Sequence, residues 1–334
     1  MRNPKENQEI KKVEEQVKDI KPKNLKQVFL KAGKQTWETW LMMIKIYVPI
    51  SLLTIFLKQV GVIDVISPFF APVMELMGLP GETALTLIAA SINTVYAGLG
   101  TMMAFDLTAR QITILAVVTG ISHNLILETI IFKKLRTAST RIAAFRFFMG
   151  ILAGILMNVF LPKEIFPTFA VSAAAKTAVE FSWMKTFQGI GMTCVQIMLI
   201  LSIIMLLYEL LMFLKLGGKI KRMTKAIPNF FGMGDNAFAP WAIGFFAGVL
   251  YGAGLLFKFE KEKKLNSKDG CLVTVFLSLA HAIPEDTMLF VVIGGNMFWI
   301  VFVRLLIAFI VTRILSIGDL YKKFLWIGLT ENKN

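Results

Sequence analysis

Six apolar stretches, each at least as long as the roughly 20 residues needed to cross the hydrocarbon layer of a bilayer, dominate this chain. They lie near 37–57, 110–132, 141–161, 184–214, 270–293 and 297–317, and two more, punctuated by glycine, lie at 78–105 and 232–257. So many long segments exceed what one buried core takes up, and 56% hydrophobic against 17% charged residues places the 334-residue chain outside the soluble globular range. In lipid each backbone N–H and C=O needs a partner within the protein. The expected fold is therefore an all-α integral membrane protein.

A formal charge of +14 would suggest nucleic acid as the partner of a soluble protein. Here the basic residues sit in loops between apolar segments, the pattern of a cytosolic membrane face, so the partners implied are the bilayer and its anionic lipids, with no nucleic acid. Cys194 and Cys271 stand apart within predicted spans and form no ligand spacing, so neither a disulfide framework nor a zinc site is expected. Residues 1–36 carry ten Lys/Arg and five Asp/Glu with no apolar h-region, which predicts a basic, amphipathic cytosolic segment rather than a cleaved signal peptide. Within it Ala32–Thr36 (AGKQT) imitates the end of a phosphate-binding loop, but the upstream glycine and the Ser/Thr directly after the lysine are absent.

The two histidines each open the same phrase: His123, Glu128, Thr129, Phe132, and 158 residues later His281, Asp286, Thr287, Phe290. Arg146 and Arg304 keep that offset, while upstream "NTVYAGLG" at 93–100 faces "GVLYGAGL" at 248–255, an offset of 155. The chain is therefore expected to be an internal duplication. Loop charge then decides whether the glycine-rich stretches cross the membrane. If they did, the loops carrying Lys133, Lys134, Arg136 and Arg141, and Lys215, Lys219, Lys221, Arg222 and Lys225, would lie outside. If they are re-entrant hairpins, those loops fall inside with Lys258, Lys261, Lys263, Lys264 and Lys268, and the charge-poor turn 294–297 falls outside, as the positive-inside rule requires. The expectation is thus about six transmembrane helices plus two re-entrant helical hairpins in two inverted repeats, a plan of secondary transporters. Its parts are a cytosolic segment 1–36, repeats 37–161 and 184–317, an extracytoplasmic linker 162–183 and a cytosolic tail 318–334, in a cytoplasmic (inner) membrane.

"GLPGETALTLIAASINTVYAGLG" from Gly78, followed by "RQITILAVVTGISHNLILETIIF" from Arg110, resembles the nucleoside-recognition or gate domain. That domain occurs in duplicate in the membrane part of ferrous-iron permeases, and in relatives of concentrative nucleoside transporters and spore-maturation membrane proteins. The resemblance covers roughly 37–317 and implies a transporter-like membrane protein. Iron permeases of this type carry Gly-Cys-Asn where this chain has Ser91-Ile92-Asn93, and Ser-Cys where it has Ser122-His123. One soft metal ligand is thus missing and the other is replaced by imidazole.

Ionisable groups within spans are costly and concentrate at functional positions, which singles out His123 and His281, expected mid-helix, with Glu128 and Asp286 nearer opposite membrane faces. Glu285 is added in the second phrase, and Pro284 is expected to free the Ala280 carbonyl beside His281. Arg146 and Arg304 follow the acids by eighteen residues and predict bracing ion pairs Glu128–Arg146 and Asp286–Arg304. The first hairpin tip offers Ser91, Asn93, Thr94 and Tyr96, and the first His helix Asn124, polar groups suited to a ribose or a base edge.

The reading that follows is a transporter or transporter-like binding protein for nucleosides or similar small polar solutes, passive or ion-coupled. It implies no enzyme activity, no cofactor and a possible homo-oligomer. Two alternatives stay open: a divalent-metal permease using His123, His281, Glu128 and Asp286, and a non-transporting assembly or regulatory protein of the spore-maturation type.

Overall fold

The structure, a computed structural model, describes residues 24–134, 137–168, 182–214, 229–249, 252–254, 256, 265–318 and 320–324. Residues 1–23, most of the linker and most of the C-terminal tail lie outside the described residues. Among the described residues six helical stretches are long and apolar enough to cross a membrane.

The first repeat begins with α1 (Leu25–Gln59) and α2 (Val62–Leu76). A 3-10 turn, Gly81–Thr83, leads into two short helices, α3 (Ala84–Ile92) and α4 (Val95–Met102). α2 and the stretch Gly81–Ile92 meet at 91°. At 1.5 Å per residue, helices of nine and eight residues span only about 14 and 12 Å, too little for a layer about 30 Å thick. α3 and α4 instead fold back on one another: the Thr101 hydroxyl lies 2.8 Å from that of Thr86, and a Cβ on Gly98 would come within 2.9 Å of Ala90 Cβ. This is a hairpin closed by small residues, as lipid-embedded helix pairs commonly are.

α5 (Ala109–Ser122) and α6 (Leu125–Lys134) together form one broken span, and α7 (Ser139–Phe160) returns. The second repeat has α8 (Trp183–Phe213), a 3-10 turn Asp235–Ala237, and a hairpin of α9 (Phe238–Ala247) against helical residues 252–254. There a Cβ on Gly252 would lie 2.7 Å from Gly244 Cα, so only glycine permits the approach. α10 (Ser267–Ala280) and α11 (Ile283–Val292) form the second broken span, followed by α12 (Met297–Ser316) and a 3-10 turn Leu320–Phe324. Both broken spans start with a side-chain cap at equivalent positions, Thr108 and Asn266.

Contacts between connections assign them to two ends of the molecule. At one end Arg110 reaches the Pro162 carbonyl, Asn296 Nδ2 donates to Phe166 O, and Lys58 Nζ donates to Ala104 O. At the other, Gln35 Nε2 donates to Glu209, Ala138 N–H to Phe324 O, and Arg141 to Lys323 O. The base of the first hairpin packs at the first end, where Gly78 abuts Asn158. The base of the second packs at the other, where Gly232 abuts Ser316 and Gly234 N–H donates to Asp269. The hairpins enter from opposite ends, and the protein is an all-α membrane protein of two inverted repeats.

One boundary differs from the sequence reading. α1 is continuous from Leu25, so residues 25–36 extend a spanning helix instead of lying on a surface. The stripe Val28, Ala32, Thr36, spaced by four, is buried and carries the helix on past the hydrophobic stretch, with Gln35 bonded to Glu209 of α8. At the hairpin entrances the repeat offset is 154, because the left-handed glycines are Gly78 and Gly232 and the 3-10 turns start at Gly81 and Asp235.

Candidate functional site

The two broken spans meet at their breaks. α5 ends at Ser122 and α10 at Ala280; His123 and His281 follow in extended conformation, and Asn124 and Ala282 then take left-handed backbone, φ 54° and 46°. Asparagine tolerates that conformation, whereas for alanine it costs about 1–2 kcal/mol. His123 and His281 therefore cap half-helices and do not lie mid-helix as expected. Pro284 likewise sits in the first turn of α11, where its missing N–H breaks no helical bond, and so starts a helix rather than kinking one.

A break leaves donors and acceptors without helical partners. Each hairpin supplies one: Asn124 N–H donates to Ala90 O at 2.8 Å and Ala282 N–H to Gly244 O at 3.2 Å. The arginines cover the acceptors. Arg146 donates to Ile121 O (2.9 Å), His123 O (3.0 Å) and Glu128 Oε2 (2.6 Å). Arg304 donates to His281 O (3.1 Å), Asp286 Oδ2 (3.2 Å) and, across the repeat boundary, Gly120 O (2.9 Å), while its Nε has no partner. Both guanidinium groups are buried, and the acids lie in the first turns of α6 and α11, at positive helix ends. The arginines thus brace ion pairs and close broken backbone at once.

The acids do not separate toward opposite faces, because they begin the second half-helices and so stay at the breaks. Glu128 crosses to the other repeat: its Oε1 lies 3.4 Å from His281 Nε2 and 3.8 Å from His123 Nε2. The imidazoles face each other with Nε2 atoms 3.2 Å apart and planes inclined at 48°. His123 Nδ1 lies 3.0 Å from Thr119 O and His281 Nδ1 2.7 Å from Leu277 O. A carbonyl only accepts, so in neutral rings Nδ1 carries the proton and Nε2 is a bare lone pair. Three potential metal-ligand atoms, one each from His123, Glu128 and His281, lie within 4.8 Å of one another, all on buried residues.

The remaining candidates surround the breaks. Tyr96, buried in α4, donates its hydroxyl to Glu285 Oε1 at 2.6 Å and so joins the first hairpin to the second broken span. The side-chain oxygens of Ser91 and Thr94 are buried without hydrogen-bond partners, whereas Asn93 is exposed at the hairpin tip. Asn124 takes part through backbone geometry. Sequence reasoning named Thr287 only as part of the repeated phrase and gave no role to its hydroxyl, which is buried without a partner; it passed over Glu209, buried on α8 against Gln35. An acid within the apolar run 184–214 was the available signal for Glu209.

Fold and site together define a multi-pass helical membrane protein with two inverted repeats joined at broken helices. Among known proteins, the chain is 28% identical over 307 residues to the uncharacterized membrane protein YvoD of Bacillus subtilis (strain 168), covering 90% of this chain and 97% of that protein. No family model matches the chain. No solved structure matches it either.

Proposed function

We propose that this protein is a membrane transporter for a small polar solute of nucleoside type, passive or ion-coupled, with its site where the hairpin tips meet the broken helices. The carrying observation is that both helices break at equivalent residues and at one place, each break tied to its own hairpin. Irregular backbone at membrane depth is costly unless protein covers it or it lines a path, and transporters use such breaks to bind solute between repeats. The unpartnered oxygens of Ser91 and Thr94, with the exposed amide of Asn93, support a ligand rich in hydroxyls and ring nitrogens. Tyr96–Glu285 then acts as a latch, since parting the first hairpin from α11 breaks that one side-chain bond. The charge of the basic loops supports, within this reading, cytosolic termini and an inner-membrane location.

The test is uptake of radiolabelled uridine, adenosine and inosine into proteoliposomes of purified protein. Saturable uptake that Tyr96→Phe alters and the His123→Ala, His281→Ala double variant removes is expected. Absence of both binding and uptake for all three nucleosides sinks this reading and leaves the divalent-metal and assembly alternatives in its place.

A further inference from the structure

With both rings neutral and the Glu128 carboxylate ionised, the centre of the site holds three acceptors and no donor between them. His123 Nε2 and His281 Nε2 are lone pairs 3.2 Å apart, because both Nδ1–H groups point to helix carbonyls, and the third corner is Glu128 Oε1. That oxygen is buried and has no hydrogen-bond partner, while its twin is held by Arg146. Acceptors arranged in this way repel unless a cation stands among them. Arg146 and Arg304 cannot serve, since each is turned to its own carboxylate and to the carbonyls of the breaks.

We propose that His123, His281 and Glu128 bind a divalent first-row metal ion of the zinc, cobalt or iron(II) class. The distances fit it. For three atoms separated by 3.2, 3.4 and 3.8 Å, the equidistant point lies about 2.0 Å from each, the length of zinc–imidazole and zinc–carboxylate bonds. Two imidazoles and one carboxylate suit borderline metals and exclude the hard calcium and magnesium ions, which take oxygen shells. The surroundings orient the ligands as metal sites require: each Nδ1–H is bound to a carbonyl, and the carboxylate is anchored by Arg146. Three protein ligands leave a coordination position open for water or a solute. Because one histidine comes from each repeat, the ion would join the two inverted halves across the line where alternating access has to part them. The proposal goes beyond the transport reading and does not depend on which solute, if any, is carried.

Cobalt(II) is the probe, added to the purified full-length chain in detergent after chelator treatment, with zinc(II) as competitor. One cobalt per chain is expected, with the visible absorption of a four-coordinate nitrogen–oxygen site that zinc displaces. Affinity is expected to fall by about 100-fold or more in His123→Ala and in His281→Ala and by about tenfold or more in Glu128→Gln. The Glu38→Gln variant, at an exposed position of α1 outside the site, should bind as the parent does. Absence of metal binding by the parent protein overturns the proposal and leaves a shared proton as the link between the rings. Unchanged binding in the His123→Ala, His281→Ala double variant also overturns it. If these variants do not fold, X-ray absorption of the cobalt-loaded parent decides, because fewer than two imidazoles around the metal would refute the ligand set. Metal bound without nucleoside uptake defeats the transport reading alone, and uptake by metal-free protein that binds no cobalt defeats this inference alone.

Discussion

Arg146 offers the sharpest test of what holds the centre together. Its guanidinium makes three hydrogen bonds, one to Glu128 and two to the carbonyls of Ile121 and His123 at the break. Glu128→Gln keeps an acceptor for the guanidinium but leaves its charge unbalanced, and removing one partner of a buried ion pair costs about 3–5 kcal/mol. Arg146→Met strands the carboxylate by a like amount and also leaves two buried carbonyls short of a donor, each worth about 1–3 kcal/mol. The double variant removes both charges but not the second loss. It should therefore be more stable than Arg146→Met, yet remain less stable than the parent by about 2–6 kcal/mol. Ordinary polar contacts in bilayers couple by about 0.6 kcal/mol on average and about 1.7 at most, so a larger coupling in this cycle marks a charged pair. Equilibrium unfolding in mixed micelles with increasing sodium dodecyl sulfate, followed by tryptophan fluorescence, measures it. A double variant no more stable than Arg146→Met refutes the ion pair as a stabilising unit, and one as stable as the parent refutes the role of Arg146 in closing the break.

Orientation can be read with single cysteines in a chain lacking Cys194 and Cys271. Asp106→Cys and Thr140→Cys, both at exposed positions on opposite ends of the molecule, should label respectively from outside the cell and only after permeabilisation; the reverse pattern contradicts cytosolic termini. Gly120→Ala should destabilise by about 1–3 kcal/mol in the same micelle titration, because the added Cβ would stand 3.0 Å from the Arg304 guanidinium carbon. A neutral effect there would mean that the Arg304–Gly120 contact carries no stability.

Much of the architecture was legible along the chain, because lipid restricts backbone to helices and requires spans of one length, and because duplication writes itself as a constant offset. The spans and the pairing of Glu128 with Arg146 and Asp286 with Arg304 follow from residue spacing, and the hairpins from glycine content and loop charge. Placement of the histidines did not. A helical period carries straight through Gly120–Phe132, and nothing local announces that Asn124 and Ala282 take left-handed backbone. That conformation is unfavourable for alanine on its own and persists only because Gly244 accepts the Ala282 N–H and Arg304 covers the His281 carbonyl. The meeting of His123, His281 and Glu128 likewise required two breaks, 158 residues apart, to be pressed together by helices from both repeats. Sequence determined which polar groups enter the membrane, since each is expensive there; tertiary packing alone decided that three of their acceptor atoms converge on one point.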